Sequence, residues 1–153
     1  MIKIIAESHS DHNLTDAHCD YALGYAQAQL DCSGAGGVCI ISVELPELYD
    51  TVPCALVGPA VGGEPVPESE AHYAKRGDRP YLSRVVVDAP QSQTNIITVV
   101  VGPHEEEPHV LYTMYAGPAA PREPGDPSLE GDELELQRSQ EFWAKHALSS
   151  EVL

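Results

Sequence analysis

The chain has few basic side chains. Eight lysines and arginines stand against 24 aspartates and glutamates, which gives a formal net charge of −16. A field of this sign repels phosphate backbones and anionic membrane surfaces. The composition therefore disfavours general nucleic-acid binding and membrane-surface binding. The expected partners are a protein or a small anionic substrate, the latter at a local cluster of cationic side chains in residues 75–84.

The usual signs of secretion are also missing. The four cysteines, Cys19, Cys32, Cys39 and Cys54, include no Cys-x-x-Cys pair and are too few for a disulfide scaffold of this length. Residues 1–7 contain one positive charge and only a short apolar run, which fits neither a signal peptide nor a transmembrane span. We expect reduced thiols and a cytosolic location.

Length and composition predict one folded domain over residues 1–153. Apolar residues make up 42% of the chain and charged residues 21%, close to ordinary globular usage. Such a chain buries enough apolar surface to offset the ordering entropy. We expect an α+β domain, with an antiparallel or mixed sheet packed against two main helices.

Two helices are predicted by apolar spacing. The first covers residues 15–30, where Thr15 is the expected N-cap and Cys19, Ala22, Leu23, Ala26 and Leu30 form one apolar face. The second covers residues 132–148, where the expected packed stripe is Leu136, Phe142, Trp143 and Ala147. Prolines recur at every third position in residues 117–127, and this period of a polyproline II helix predicts a stiff surface connector before the second helix.

Strands are predicted where β-branched residues concentrate. The first covers residues 3–6 and the second residues 38–45, with residues 55–57 as a short partner. Residues 81–87 are expected to be extended. Two further runs, 95–101 and 110–115, are joined by a polar link that contains glycine and proline, which predicts a hairpin.

Carboxylate and imidazole side chains cluster after the first predicted strand, in the pattern Glu7-x-His9-x-Asp11-His12. Alternate residues of an extended segment share a face, and a turn can bring the next residue to them. These ligand types suit zinc, manganese or iron. The sequence therefore predicts one divalent metal bound by His9, Asp11 and His12, with Glu7 assisting. The alternative is a polar turn that caps the first helix.

The same six residues resemble the His-x-His-x-Asp-His motif of metallo-β-lactamase-type hydrolases. Glu7 replaces the first histidine of that motif. The resemblance implies metal-dependent hydrolysis. It covers six residues, and the chain has little room for the downstream ligands of that family.

His12, His18 and Arg84 are the candidate catalytic residues. A histidine titrates near neutral pH and can therefore donate or accept a proton in a reaction. His18 flanks the apolar face of the first predicted helix, near Tyr21 and Tyr25. The alternative for His18 is a boundary residue bonded to a tyrosine or a backbone oxygen.

Half of all cationic side chains fall between Lys75 and Arg84. Guanidinium groups bind carboxylate or phosphate through two parallel hydrogen bonds. The predicted anion-binding residues are Arg76, Arg79, Ser83 and Arg84. The alternative is that these arginines pair with the surplus carboxylates of the chain.

The segment from His104 to His109 superficially matches the zinc-binding pattern His-Glu-x-x-His. In that motif the two histidines are four residues apart and share one helical face. Here they are five residues apart, Pro108 lies between them, and both flanks are predicted strands. We therefore exclude a zinc-binding helix at this position.

Six short segments suggest a relationship to known proteins. They are Ala6–His12, Arg76–Pro80, Ser83–Val85, Gly102–His104, Leu111–Thr113 and Gly117–Asp126. Through them the chain resembles small, uncharacterised actinobacterial proteins labelled formylmethionine deformylase-like. The label implies a metal-dependent amide hydrolase that removes formyl groups from nascent chains. The glycine-rich loop and the His-Glu-x-x-His helix of true deformylases are missing, so we expect no deformylase activity.

A second resemblance is to compact ribonuclease toxins of the RelE and barnase type. A helix followed by strands, with His18, Arg84 and Thr94 available, is similar to their plan. Such nucleases are usually basic, and this chain is acidic. The leading hypothesis is a small hydrolase-like protein with a metal site at residues 7–12. Its rival is a non-catalytic acidic module that holds a protein partner.

Overall fold

The computed structural model describes residues 1–10, 14–33, 37–87 and 92–150, without the side chains at positions 6, 7, 9, 10, 32 and 33. Two α-helices and ten strands in these ranges form the α+β fold that the apolar pattern predicted. In chain order they are β1 (Lys3–Ser10), α1 (Asp16–Ser33), β2 (Cys39–Glu44), β3 (Val52–Cys54), β4 (Leu56–Val57), β5 (Ala71–Lys75), β6 (Leu82–Val86), β7 (Ser92–Thr94), β8 (Ile96–His104), β9 (Glu107–Ala116), α2 (Glu133–Trp143) and β10 (Ala147–Ser149).

Residue contacts divide the chain into two compact units. Unit 1 comprises residues 1–54 and 93–119, and unit 2 comprises residues 55–92 and 120–153. Each unit has its own four-stranded sheet and its own apolar cluster. The expectation of a single domain stays a prediction.

The sheet of unit 1 has the strand order β1-β9-β8-β2. β8 and β9 pair antiparallel, which confirms the predicted hairpin, and both strands extend further into the link than expected. Alternation along β8 places Ile97, Val99 and Val101 in the core with no exposed surface. β2 pairs antiparallel with β8, whereas β1 runs parallel to β9.

α1 begins and packs as its sequence predicts. The Thr15 side-chain oxygen accepts the backbone N–H of His18 at 3.3 Å, as an N-cap residue does. Ala22, Ala26 and Leu30 recur on one face and are buried in the same cluster as the inward residues of β2 and β8. The helix therefore covers the apolar face of the unit 1 sheet.

The sheet of unit 2, in the order β4-β10-β6-β5, corrects two predictions. Residues 55–57 do supply a short strand, but β4 pairs with β10 and not with β2. The second helix ends at Trp143 rather than at residue 148. Ala147 and Leu148 are instead buried in β10, because pairing with β4 on one side and β6 on the other outweighs their helical propensity.

Two shorter strands, β3 and β7, form a separate two-stranded sheet. Among the residues that the structure describes, neither α1 nor α2 is long and apolar enough to cross a membrane.

Candidate functional site

Unit 2 contains a cavity of about 350 Å³. This volume lies near the lower end of the range of about 300 to 1,000 Å³ that is usual for small-molecule sites. The residues that line it are Glu68, Tyr73, Leu82, Arg84, Glu123, Pro124, Gly125, Gln140, Trp143 and Ala144. Three of the ten are charged and two are aromatic, so the cavity combines polar groups with apolar surface.

Regular secondary structure positions most of these side chains. Tyr73 of β5 pairs directly with Arg84 of β6, so their side chains share one face of the sheet. Leu82 lies two residues before Arg84 and faces the same way. Gln140, Trp143 and Ala144 are three and four residues apart at the end of α2, which places them on one helical face.

Arg84 is buried, with a side chain only 5% exposed. One terminal nitrogen, Nη1, donates to the carbonyl oxygens of Trp143 at 3.0 Å and His146 at 2.8 Å. The other, Nη2, donates to the carbonyl oxygen of Val66 at 3.0 Å and to Glu68 Oε2 at 3.4 Å. The guanidinium therefore ties β6 to the end of α2 and to the segment before β5.

Glu123 is the second buried charged side chain, 8% exposed, and it lies in the proline-rich segment. Its Oε2 accepts a hydrogen bond from Arg76 Nη2 at 3.3 Å. Burial lowers the pKa of the Arg76 guanidinium, and the Glu123 carboxylate opposes that shift. Since neither ion is well solvated, each depends on the other for charge compensation.

Both buried charges retain one polar atom without a partner among the described residues. These atoms are Oε1 of Glu123 and Nε of Arg84. A buried donor or acceptor left unsatisfied costs about 1 to 3 kcal/mol, so such atoms usually have a partner such as a ligand or an ordered water. Both side chains line the same cavity, and a third unpartnered atom, Nε of Arg76, belongs to the side chain that is bonded to Glu123.

The segment from Glu123 to Gly125 approaches the β5–β6 connection closely. A Cβ atom at Gly125 would lie 2.7 Å from the Cβ of Tyr81, so this approach requires glycine. Burial raises the pKa of the Tyr81 phenol, and the carboxylates of Glu123 and Asp126 raise it further. The hydroxyl of Tyr81 is therefore a neutral group at physiological pH.

His18, a predicted catalytic residue, is buried at the start of α1. Its Nδ1 lies 2.8 Å from Thr15 Oγ1, and the Thr15 N–H donates to the same nitrogen at 3.4 Å. The ring also contacts Tyr49, with centroids 5.7 Å apart. His18 therefore supports the helix N-terminus. In the arrangement resembling ribonuclease toxins, His18 and Thr94 belong to unit 1 and Arg84 to unit 2.

The predicted anion-binding residues all belong to unit 2, and their donors are partly used within the protein. Arg76 pairs with Glu123, and Arg79 Nη1 donates to the Arg76 carbonyl at 3.3 Å. Ser83 is fully buried, faces away from Arg84 along β6, and has no partner for its hydroxyl among the described residues. Anion binding by Arg76, Arg79, Ser83 and Arg84 stays a prediction.

The predicted metal site lies outside what the structure describes. This applies to Asp11, to His12 and to the side chains of Glu7 and His9. Within the described ranges, no three histidine, cysteine, aspartate or glutamate side chains form a group able to hold a metal ion. The metal site, and with it the catalytic assignment of His12, stays a prediction.

The sequence did not reveal Glu123, Tyr73 or Trp143 as site residues. Glu123 stands between Arg122 and Pro124 in a segment expected to be exposed, and nothing in that pattern indicates burial. Trp143 was expected to pack in the apolar stripe of the second helix, and it does contribute to the unit 2 cluster. The one sequence signal for the site was the spacing of Gln140, Trp143 and Ala144, which are three and four residues apart and therefore share a helical face.

Comparison with protein-family models, curated proteins and solved structures finds no match to this chain. The function is therefore inferred from the residues of the site.

Proposed function

We propose that the chain binds a small neutral molecule in the cavity of unit 2. The molecule combines an aromatic or apolar body with one carboxamide-like group. The observation that supports this is the presence of two buried charged side chains, Arg84 and Glu123, in the lining of one cavity, each with one polar atom unpartnered among the described residues.

The unpartnered atoms define the polar part of the ligand. Oε1 of Glu123 requires a hydrogen-bond donor, and Nε of Arg84 requires an acceptor. A carboxamide supplies an N–H donor and a carbonyl acceptor in one small group. Specific pockets typically fix a ligand through a few polar groups of this kind.

The charge balance favours a neutral ligand over an ion. Glu123 is already paired with Arg76, and Arg84 with Glu68. A charged ligand would leave its own charge uncompensated in a poorly solvated cavity, which is costly. A neutral amide avoids that cost and still makes charge-assisted hydrogen bonds with both side chains.

The rest of the lining suits a flat apolar body. Trp143 and Tyr73 provide aromatic surfaces, and Leu82 and Pro124 add aliphatic surface. Aromatic rings gain about 0.5 to 1.5 kcal/mol from offset or edge contacts beyond simple burial. The ligand class is therefore a small aromatic or aliphatic amide.

Benzamide is the probe for this proposal, and Trp143 is the reporter. Trp143 is the single tryptophan of the chain and lines the cavity, so its fluorescence should change when benzamide binds. Glu123→Gln should weaken binding about tenfold, because the charge-assisted hydrogen bond is lost. Glu130→Gln removes the same charge at an exposed position and should bind benzamide like the wild type.

A second pair of variants separates occupancy of the cavity from damage to the fold. Ala144 is exposed and lines the cavity, so Ala144→Phe should block it without removing any polar group. Ala28→Phe makes the same change on the exposed face of α1 and should leave benzamide binding intact. Failure of benzamide to bind the wild type, or equal binding by the Ala144→Phe variant, would overturn the proposal. If benzoate bound more tightly than benzamide, the small anionic substrate expected from the sequence would be favoured over a neutral amide.

We also propose, separately, metal-dependent hydrolysis at residues 7–12. It is supported by the spacing of Glu7, His9, Asp11 and His12 in the sequence. His9, Asp11 and His12 would hold a divalent metal with an open coordination position, and such a metal would supply an activated water for attack on an amide or ester. A small amide held in unit 2 and an amide substrate for hydrolysis belong to the same chemical class.

A further inference from the structure

β2 is an edge strand of the unit 1 sheet. The strand order β1-β9-β8-β2 places it at one end, and among the described residues no strand pairs with its outer side. Its pairing with β8 is regular over all six residues, from Cys39 opposite Val101 to Glu44 opposite Ile96. The outer side therefore presents a straight row of backbone N–H and C=O groups, which is a template for another strand.

The two edges of this sheet differ in their protection. Soluble proteins usually protect exposed edges with lysine, proline or a bulge. β1 has two of these devices, Lys3 and a shift of register between Ile4 and His9. β2 reads Cys-Ile-Ile-Ser-Val-Glu and has no lysine, proline or bulge, and its one charged residue is Glu44 at the end of the strand. Residues 39–43 therefore form an edge without these devices, and such an edge favours a partner that covers it.

A groove of about 370 Å³ runs beside this edge. Tyr25, Gln29 and Leu30 of α1 form one side, and residues 39–42 of β2 form the other. Ile40 is 62% exposed and adds apolar surface to this edge. A peptide strand added to β2 would lie beside this edge in the sheet, and its alternate side chains on the α1 side would face the groove.

The charge of the two flanking elements specifies the partner further. α1 and β2 together contain four carboxylates and no lysine or arginine. The four are Asp16, Asp20, Asp31 and Glu44. Complementary charge steers association and suppresses wrong partners, and the net charge of −16 extends the same preference to longer range.

We propose that β2 binds an extended peptide rich in lysine or arginine, which adds to the unit 1 sheet as a fifth strand. Backbone hydrogen bonds to β2 supply affinity, the groove beside α1 accepts side chains, and the carboxylates of α1 and β2 supply selectivity through their field. This interaction uses unit 1 alone and is independent of ligand binding in unit 2.

The test uses a fluorescein-labelled peptide of alternating lysine and valine, with an alternating glutamate and valine peptide as control. Anisotropy should show binding of the lysine peptide at low salt and at least about tenfold weaker binding of the glutamate peptide. Hydrogen exchange of the complex should show new protection at the amides of β2. No binding of the lysine peptide, or protection confined to other strands, would overturn the proposal.

Ile40→Lys and Ile4→Lys form a matched pair of variants. The two isoleucines lie on opposite edge strands of one sheet and are equally exposed, at 62% and 63%. Ile40→Lys should weaken the lysine peptide at least about tenfold, because it adds like charge to the binding edge. Ile4→Lys makes the same change of net charge and should preserve binding. Equal weakening by both variants would show an effect of net charge only and would overturn docking on β2.

A second copy of the chain is the competing occupant. Two copies, each with a net charge of −16, repel one another, so the proposal expects a monomer in sedimentation at moderate salt. A stable dimer that Ile40→Lys dissociates and Ile4→Lys does not would overturn the peptide proposal in favour of self-association through β2.

Discussion

The two units differ in how their interiors are stabilised. Among the residues that the structure describes, ten buried apolar side chains form the cluster of unit 1, whereas four form the cluster of unit 2. Among the described residues, the buried arginine and the buried glutamate, Arg84 and Glu123, both belong to unit 2. Unit 1 is therefore stabilised mainly by apolar burial, and unit 2 depends more on buried polar contacts.

In unit 2, side chains make hydrogen bonds to backbone groups in loops and at the end of α2. Arg84 donates to three carbonyl oxygens, and the Trp143 ring N–H donates to the Pro121 carbonyl at 3.1 Å. His146 accepts the N–H of Ala60 at 3.2 Å and donates to the Phe142 carbonyl at 2.7 Å. Two of these residues, Arg84 and Trp143, also line the cavity, so stability and ligand binding are coupled in unit 2. In unit 1 the proposed binding edge presents backbone groups of β2, and of the residues that line its groove Leu30 belongs to the buried cluster.

The strongest test of this difference is the substitution Arg84→Met. It removes the donors to the carbonyls of Val66, Trp143 and His146 and leaves those acceptors buried without partners. We expect the free energy of unfolding to fall by about 3 kcal/mol or more. Urea unfolding followed by Trp143 fluorescence measures the change in unit 2 directly.

Arg138→Met is the matched control for this experiment. Arg138 lies on α2, is exposed, and pairs with Glu135 at 2.9 Å three residues earlier. Loss of such a surface pair should change the free energy of unfolding by about 0.5 kcal/mol or less. If Arg84→Met were as mild as Arg138→Met, buried polar contacts would not stabilise unit 2 and the contrast between the units would fail.

Zinc should change the free energy of unfolding by less than Arg84→Met does. Its effect tests whether His9 and His12 belong to a metal site. At a free zinc concentration about one hundred times the dissociation constant, binding to the folded state adds about 2.7 kcal/mol to the free energy of unfolding. The double variant His9→Ala, His12→Ala should lose this gain. Zinc titration followed by urea unfolding measures it.

The control for the zinc experiment is the double variant His72→Ala, His104→Ala. Both histidines are exposed in the described structure, and their removal should leave the zinc effect unchanged. Equal stabilisation by zinc of the wild type and the His9→Ala, His12→Ala variant would eliminate the proposed metal site. If only the control variant lost the effect, zinc would bind near His72 or His104 and not at His9 and His12.

The fold of unit 1 was easier to predict from the sequence than the fold of unit 2. In unit 1, local patterns were sufficient: the spacing of Ala22, Ala26 and Leu30 predicted α1, and the β-branched runs predicted the β8–β9 hairpin. These signals are strong because each element buries one regular face. The connection of β1 to β9 as a parallel pair has no local signal in the sequence.

In unit 2, the decisive interactions are distant in sequence. Leu148 has a helical spacing from Ala144, yet it pairs with Val85 and Leu56 in the sheet. Glu123 is buried against Arg76, 47 positions away. Spacing within a short window cannot detect such pairs, since tertiary contacts override local propensity. The sequence predicted Arg84 as a catalytic and anion-binding residue, which stays a prediction, and it gave no sign that the guanidinium donates mainly to backbone carbonyls.

The smallest expected effect concerns Asp126, at the polar periphery of unit 2. Its carboxylate accepts the Ser128 N–H at 2.9 Å and the Ser128 hydroxyl at 2.8 Å, and so caps the short 3₁₀ helix Pro127–Leu129. The backbone N–H of Ser128 lowers the pKa of Asp126 below its ordinary value. A carboxyl group with a lower pKa in the folded state stabilises the fold above its unfolded pKa, and this contribution is lost as the pH falls through the folded pKa.

Asp126→Asn removes this titration and retains an acceptor oxygen for Ser128. At neutral pH the variant should be less stable than the wild type by less than about 1 kcal/mol, the usual size of a capping effect. The difference should shrink as the pH is lowered from about 7 to about 3, because the wild-type carboxylate then becomes protonated. Asp78→Asn, at an exposed turn position, should show no comparable pH-dependent difference. Urea unfolding at several pH values gives both curves, and a wild-type advantage that grows as the pH falls would contradict the capping role, because the linkage would then have the opposite sign.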